Sequence, residues 1–169
     1  MPDRFSRDNA FGKTLLDWWQ QLDDDRASRA TLRRAPTVTA VTLSAPYQRL
    51  FRRLRAIGWN ADDVAWRNDR LAAIVGLLAH VSEDRQGELA KAMSHKTTGE
   101  DRPMVSELRF TRLLESPDGD SLFVGLRRVL PLMSNSVDVV ALANDILHWG
   151  DKVKKGWAYS YDWPAHSND

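Results

Sequence analysis

Apolar side chains recur along this chain at the spacing of an α-helix. Three stripes consist of Phe11, Leu15, Trp18, Trp19 and Leu22, then Tyr47, Leu50, Phe51, Leu54 and Ile57, then Leu122, Phe123, Leu126, Val129, Leu130 and Met133. Each stripe follows a period of about 3.6 residues, which puts its members on one face of a helix. Strict alternation of apolar and polar residues never lasts for more than a few residues. The sequence therefore predicts an all-α protein.

The expected architecture is a compact helical bundle of two packed lobes without a β-sheet. The N-terminal lobe would cover residues 10–93 and the C-terminal lobe residues 104–161. Between them, residues 94–103 have no apolar period and predict an exposed, mobile loop. Residues 36–45, with β-branched side chains and two prolines nearby, predict a loop or an extended crossing. We expect roughly five to seven helices, and the one over residues 137–149, apolar almost all round, should be central.

Several residues predict where helices begin and end. Ser44 suits the N-cap of the helix that carries the second stripe, and Gly58 suits its C-terminal stop. Asp62 and Asp63 would lie in the first turn of the next helix, where the helix dipole favours negative charge. Asp120 would be the N-cap of the helix that carries the third stripe.

The composition excludes several kinds of site. The 169 residues include no cysteine, so the chain has no thiol nucleophile, no thiolate metal site and no redox switch. A reducing compartment is the simplest interpretation. The first residues are charged where a signal peptide has its apolar stretch, and no apolar run approaches the ~18 residues of a membrane span. We therefore expect a cytoplasmic protein with no membrane partner.

Familiar catalytic and cofactor motifs are missing from the sequence. The four histidines are dispersed, none belongs to an HExxH pair, and neither a glycine-rich phosphate loop nor a GxSxG turn occurs. Most acidic residues lie at predicted helix starts and loop ends, where they cap helices or face solvent. The sequence thus predicts no enzyme activity, no cofactor and no metal site. A reaction centre assembled from distant residues stays open as an alternative.

One segment is strongly basic although the whole chain is nearly neutral. Residues 26–60 hold eight arginines and no Asp, Glu or Lys, whereas the formal charge of the whole chain is +1. Segregated positive charge attracts polyanions, and the guanidinium group matches phosphate with forked donors. An exposed face that only keeps a protein soluble mixes both signs of charge. This segment therefore favours a nucleic-acid surface.

Further basic residues occur in the second half of the chain. They are Arg109, Arg112, Arg127, Arg128, Lys152, Lys154 and Lys155. If helix packing brings them to the arginines of residues 26–60, they form a groove that follows a phosphate backbone without reading sequence. Trp18 and Trp19 lie on a core stripe, so we expect them to pack rather than to stack on bases.

Six short strings occur in order through nearly the whole chain. They are WWQQLD (18–23), RAxLRRA (29–35), GW (58–59), RFxRLL (109–114), LRR (126–128) and HWGDKVKKGWAYSY (148–161). In their order and spacing, these strings resemble the CasB family. CasB is the small subunit of the type I-E CRISPR surveillance complex, Cascade.

The resemblance implies an all-α, two-lobed, non-catalytic subunit that takes part in antiviral defence. Its implied partners are guide RNA and target DNA, including the displaced single strand, the other Cascade subunits and a second copy of itself. In such complexes base pairing reads the sequence and protein reads the backbone. Carried over residue by residue, the basic groove would consist of Arg33, Arg34, Arg67, Lys96, Arg128 and Lys152. Arg109 and Arg112 rank lower, because Glu115 stands where the family tends to have a basic residue.

Two other functions remain open from the residues alone. A helical protein–protein adaptor with no direct nucleic-acid role would contact its partners through tryptophans and carry its arginines for solubility. A helix-turn-helix regulator would need a short glycine-bearing turn before a base-reading helix, and we find none. Salt dependence separates nucleic-acid binding from the adaptor role, because phosphate contacts release counterions and apolar contacts do not.

Overall fold

Helices form most of the part of the chain that the structure describes, residues 4–165. This computed structural model contains, within those residues, ten α-helices, one 3-10 helix and two short strands. The α-helices are α1 Ala10–Gln21, α2 Arg26–Arg34, α3 Val38–Thr42, α4 Ala45–Ala56, α5 Ala65–Leu78, α6 Leu89–Met93, α7 Glu107–Leu114, α8 Gly119–Val129, α9 Val139–Leu147 and α10 Asp151–Ser160. The strands are β1 Glu83–Asp84 and β2 Ser136–Val137, and the 3-10 helix is Leu130–Met133. The predicted helical class is confirmed. None of the described helices has the length and hydropathy needed to cross a bilayer.

The helix at the centre of the fold is α5. Residues 71–79 are all buried, and α5 packs against α2, α3, α8 and α9. Close packing depends on Gly76, where an added Cβ would lie 2.7 Å from Cγ2 of Val41 on α3 and 2.8 Å from Cε2 of Phe123 on α8. The prediction that the helix over residues 137–149 is central is wrong, because α9 buries one face and leaves the other partly accessible.

A short helix lies within residues 36–45, where the sequence predicts a loop or an extended crossing. The helix α3 begins after Thr37, whose side chain accepts a hydrogen bond from the backbone N–H of Ala40. Val38 and Val41 are buried on its inner side. The prediction failed because little more than one turn of helix is too short to show a period, and β-branched residues favour extended structure.

Two of the predicted helix boundaries are confirmed and two are displaced. The Ser44 side chain caps α4, and Gly58 follows the end of α4 with a φ of 103°, a left-handed conformation that suits glycine. The predicted N-cap at Asp120 is wrong, because Asp118 caps α8 and Asp120 lies in the first turn. The aspartates at residues 62–63 lie in the turn before α5, not in its first turn.

A small parallel sheet is present, so the prediction of no sheet is wrong. Glu83 of β1 pairs with Ser136 of β2, and Asp84 pairs with Val137. Strands of two residues are too short for alternation to reveal. The sheet ties the chain just after the central helix α5 to the chain just before α9.

The segment that precedes α1 is held against distant parts of the chain. Phe5 is fully buried and stacks on Trp59, with ring centroids 5.1 Å apart. The backbone N–H of Phe5 donates to Oδ1 of Asn144 at 2.8 Å, and Nδ2 of Asn144 donates to the Phe5 carbonyl at 2.7 Å. Two residues later, Arg7 forms ion pairs with Asp84 at 2.7 Å and with Asp138 at 3.0 Å.

One cluster of buried apolar residues connects both halves of the described chain, from Phe5 to Tyr161. Residues 95–102 are exposed, and Lys96 and Pro103 form an isolated antiparallel bridge across that segment. The division into lobes at residues 10–93 and 104–161 stays a prediction.

Candidate nucleic-acid interface

Two pairs of arginines meet where α2 and α8 end. Arg33 and Arg34 lie in the last turn of α2, and Arg127 and Arg128 lie in the last turn of α8. Nη2 of Arg127 donates to the backbone carbonyl of Arg33 at 3.1 Å. We call these four residues the arginine junction. Helix C-termini carry partial negative charge, which favours cations at both helix ends.

Arg127 joins the end of α8 to the end of α2. Its side chain is half-buried, and its guanidinium carbon lies 5.6 Å from the centroid of the Phe123 ring. Its Nε is buried without a hydrogen-bond partner in the described part of the chain. Arg33, Arg34 and Arg128 are exposed, and none of them forms an ion pair with a described residue. Arg127 therefore serves as the anchor, and the other three guanidinium groups are available to an anion.

His80 lies beside the arginine junction at the end of α5. Burial, together with the positive charges of Arg127 and Arg33, lowers the pKa of His80 to about 4. The imidazole is therefore neutral at neutral pH and adds no further positive charge to the junction.

Acidic residues from outside the basic segment neutralise part of it. The ion pairs are Arg29 with Asp23 at 3.0 Å, Arg53 with Asp17 at 3.0 Å and Arg55 with Asp63 at 3.1 Å. The remaining five arginines of residues 26–60 are exposed and form no ion pair with a described residue: Arg26, Arg33, Arg34, Arg49 and Arg52. The local excess of positive charge is thus smaller than the sequence of this segment suggests.

The other predicted site residues are distributed over the surface. Arg67 is half-buried near the start of α5, 5.5 Å from the Trp66 ring centroid. It lies about 20 Å along the helix axis from His80, at a rise of about 1.5 Å per residue. Exposed cations on other elements are Lys96 in the loop, Arg109 and Arg112 on α7, and Lys152 and Lys155 on α10. Lys154 is half-buried, with Nζ 5.7 Å from the Trp149 ring centroid. The structure joins Arg33 to Arg127, and a groove formed by all these residues together stays a prediction.

Two arginines that the sequence does not single out individually bind the ends of helices. Arg29 donates through Nε to the carbonyl of Ala79 at 3.3 Å and through Nη2 to that of Val81 at 3.1 Å, just after α5. Arg70 donates through Nη1 to the carbonyls of Ile146 at 2.9 Å and Trp149 at 3.2 Å, at the end of α9. These interactions place a guanidinium group at the C-terminal end of a helix, where the partial negative charge of the carbonyls favours a cation.

Among the described residues, no group of three or more His, Cys, Asp or Glu could hold a metal ion.

Comparison with known proteins identifies both the fold and the family. One chain in the crystal structure of E. coli Cascade bound to a PAM-containing dsDNA target has the same fold, with a TM-score of 0.65 and 23% sequence identity. The similarity covers 87% of this chain and 91% of that one. No curated protein matches the sequence. The family model described as CRISPR-associated protein Cse2 matches residues 28–161. The resemblance to CasB, which is Cse2 under its other name, is thereby confirmed, and this chain belongs to the CRISPR-associated Cse2 family.

Proposed function

We propose that this protein is a non-catalytic, nucleic-acid-binding small subunit of a type I-E CRISPR surveillance complex. It stabilises the guide RNA–target hybrid and the displaced DNA strand through a basic groove that includes the arginine junction. Its partners are the guide RNA, the target DNA, the other Cascade subunits and a second copy of itself. Family membership supports its place in the complex. The observation that carries the nucleic-acid role is the arginine junction, in a fold shared with a chain of Cascade bound to target DNA.

The chemistry of the arginine junction suits a phosphate backbone. Arg33, Arg34 and Arg128 present forked N–H donors that can bind phosphate oxygens in pairs. Contacts of this kind are insensitive to base sequence, as a subunit requires when base pairing with the guide selects the target. Arg67 lies about 20 Å from the junction along α5, so a strand that contacted both would run beside the central helix.

A protein–protein adaptor is the second candidate function. Leu43 and Leu108 are 80% and 60% exposed, and such side chains are available to an apolar protein partner. An adaptor would bind its partner with little dependence on salt concentration, whereas a phosphate-binding surface loses affinity as salt rises.

The test compares Arg34→Ala and Arg128→Ala in the assembled complex with a matched control, Arg53→Ala. Arg53 is also exposed, but it is paired with Asp17 and lies outside the proposed interface. Affinity for unrelated target sequences is measured over a range of salt concentrations. Each junction variant should weaken binding to all targets alike and should reduce the slope of log K against log salt by roughly 0.7 to 0.9. The control should leave both quantities unchanged.

A loss confined to particular target sequences would contradict binding to the backbone. An unchanged salt slope in both junction variants, with the complex intact by size-exclusion chromatography, would favour the adaptor.

A further inference from the structure

One face of α10 carries two lysines and a tyrosine in a row. Lys152, Lys155 and Tyr159 follow at i, i+3 and i+7, so they lie on one side of the helix. All three are exposed, and Trp157, on the opposite side, is buried. We call these three residues the Lys-Tyr stripe. Tyr159 is 92% exposed, more than any other large hydrophobic or aromatic residue in the described part of the chain.

Tyr159 differs from its aromatic neighbours because no contact ties it to the fold. The rings around it form a connected cluster: Phe110, Trp149, Trp157, Tyr161 and Trp163. Phe110 and Tyr161 stack at 4.0 Å, and the Trp163 indole N–H donates to the carbonyl of Ala158. Among the described residues, Tyr159 has no ring contact, and its hydroxyl has no hydrogen-bond partner. Packing and stability therefore do not account for an aromatic side chain at this position.

Two lysines precede the exposed ring on its own helix face. Lys155 and Lys152 lie about 6 and 10 Å from Tyr159 along the helix axis, at a rise of about 1.5 Å per residue. Neither lysine forms an ion pair with a described residue. The acidic residues Asp151 and Asp162 lie at the two ends of the helix. The packed neighbour α7 adds Glu107 as well as exposed Arg109 and Arg112, and Lys152 lines a pocket with Glu88 and Asp145. The stripe thus combines a flat apolar ring with cations.

We propose that the Lys-Tyr stripe binds single-stranded nucleic acid, with Tyr159 stacked on one unpaired base and Lys152 and Lys155 at neighbouring phosphates. This inference rests on the proposed function and adds a base contact to it. An aromatic ring beside backbone-binding cations is the combination by which proteins hold single strands without reading sequence. Bases within a duplex are stacked on each other, so the stripe selects an unpaired segment such as the displaced strand.

The experiment uses the assembled complex and three variants at one position: Tyr159→Ala, Tyr159→Phe and Tyr159→Leu. Because the side chain is exposed and makes no contact, all three should fold as the wild type does. Binding is measured to targets in which single nucleotides of the displaced strand are replaced, one at a time, by abasic sites. Tyr159→Ala and Tyr159→Leu should lose on the order of tenfold in affinity, and Tyr159→Phe should retain it, because only a ring stacks. One abasic position should weaken wild-type binding by a similar factor and leave Tyr159→Ala unaffected.

Three results would overturn the inference. If Tyr159→Ala releases the subunit from the complex, the ring contacts a protein. If Tyr159→Leu binds as the wild type does, the ring acts only as an apolar surface. If every abasic site weakens binding by the wild type and by Tyr159→Ala to the same extent, no base stacks on Tyr159. In each case the salt response of Arg34→Ala and Arg128→Ala would still test the proposed function. Failure of the Lys-Tyr stripe can therefore be told apart from failure of the proposed function.

Discussion

Arg29 and Arg53 lie in the same basic segment of the sequence, yet their surroundings differ. The Arg29 side chain is 21% exposed and binds Asp23 and the carbonyls of Ala79 and Val81. The Arg53 side chain is 42% exposed and has one ion pair, with Asp17. A hydrogen bond shielded from water contributes more to stability than one in solvent, because water can replace a partner that is lost from an exposed site.

The first prediction contrasts these two residues. Arg29→Met should lower the free energy of unfolding by about 1 to 3 kcal/mol, because three acceptors lose a charged donor. Arg53→Met should change it by less than about 1 kcal/mol, as for other exposed ion pairs. Urea unfolding of both variants measures the difference. Equal losses would show that Arg29 contributes no more than a surface charge.

The sequence alone does not distinguish a shielded arginine such as Arg29 from an exposed one such as Arg53. The third apolar stripe leaves Arg128 on the side of its helix that faces away from the core, and Arg128 is exposed, because helical period fixes which side chains face solvent. The sequence could not identify the acceptors of Arg29, because these are backbone carbonyls about fifty residues away and every residue has one. The sequence predicts that the arginines of the junction converge, but it does not reveal the contact that joins them, because the acceptor is the backbone carbonyl of Arg33.

At the scale of the element, prediction succeeded where a helix has one apolar face. The stripes of α1, α4 and α8 are buried nearly as predicted, apart from exposed Ile57 and half-buried Phe11, Trp19 and Phe51. The central position of α5 was not predicted, because an apolar stripe does not show that residues 71–78 are buried on every side. Its small residues Ala72, Ala73 and Gly76 also dilute the apolar signal, although they allow neighbours to approach closely.

The second prediction uses two glycines in the middle of helices. Alanine stabilises a helix by about 1 kcal/mol relative to glycine, so helix propensity alone favours both Gly→Ala changes equally. At Gly76 the new methyl group would collide with Val41 and Phe123, and Gly76→Ala should lower the free energy of unfolding by about 1 to 3 kcal/mol. At Gly156 on α10 nothing lies within 4 Å, and Gly156→Ala should raise it by up to about 1 kcal/mol.

Chemical denaturation of both glycine variants measures the free energy of unfolding. The prediction is checked by whether that free energy falls for Gly76→Ala and rises for Gly156→Ala. Stabilisation by Gly76→Ala would mean that α3 and α8 can move apart at no cost.

At the scale of the whole molecule, the segment before α1 ties distant parts of the chain together. Arg7 bridges Asp84 of β1 and Asp138, the N-cap of α9. Its hydrogen bond lowers the pKa of the Asp84 carboxyl below the ordinary value of 3.8, and the backbone N–H of Val139 contributes in the same direction against the effect of burial. A carboxyl with a lowered pKa stabilises the fold above its unfolded pKa and stops doing so as pH falls through its folded pKa.

The third prediction follows from this pH dependence of the Asp84 carboxyl. Arg7→Met should lower the free energy of unfolding by about 1 to 3 kcal/mol at pH 7, because two carboxylates lose their cation. The difference from the wild type should shrink as pH falls below about 4, since a protonated Asp84 carboxyl no longer needs the cation. Unfolding curves at several pH values measure it. A difference that stayed constant down to acid pH would assign the effect of Arg7 to packing instead.

The binding site of Phe5 also has a consequence for folding during synthesis. Its partner Asn144 comes 139 residues later in the chain. On a ribosome that adds ~5 to 20 residues per second, the segment waits roughly 7 to 28 seconds before its partner has been made. Phe5 therefore cannot complete its native contacts until the chain has grown 139 residues beyond it.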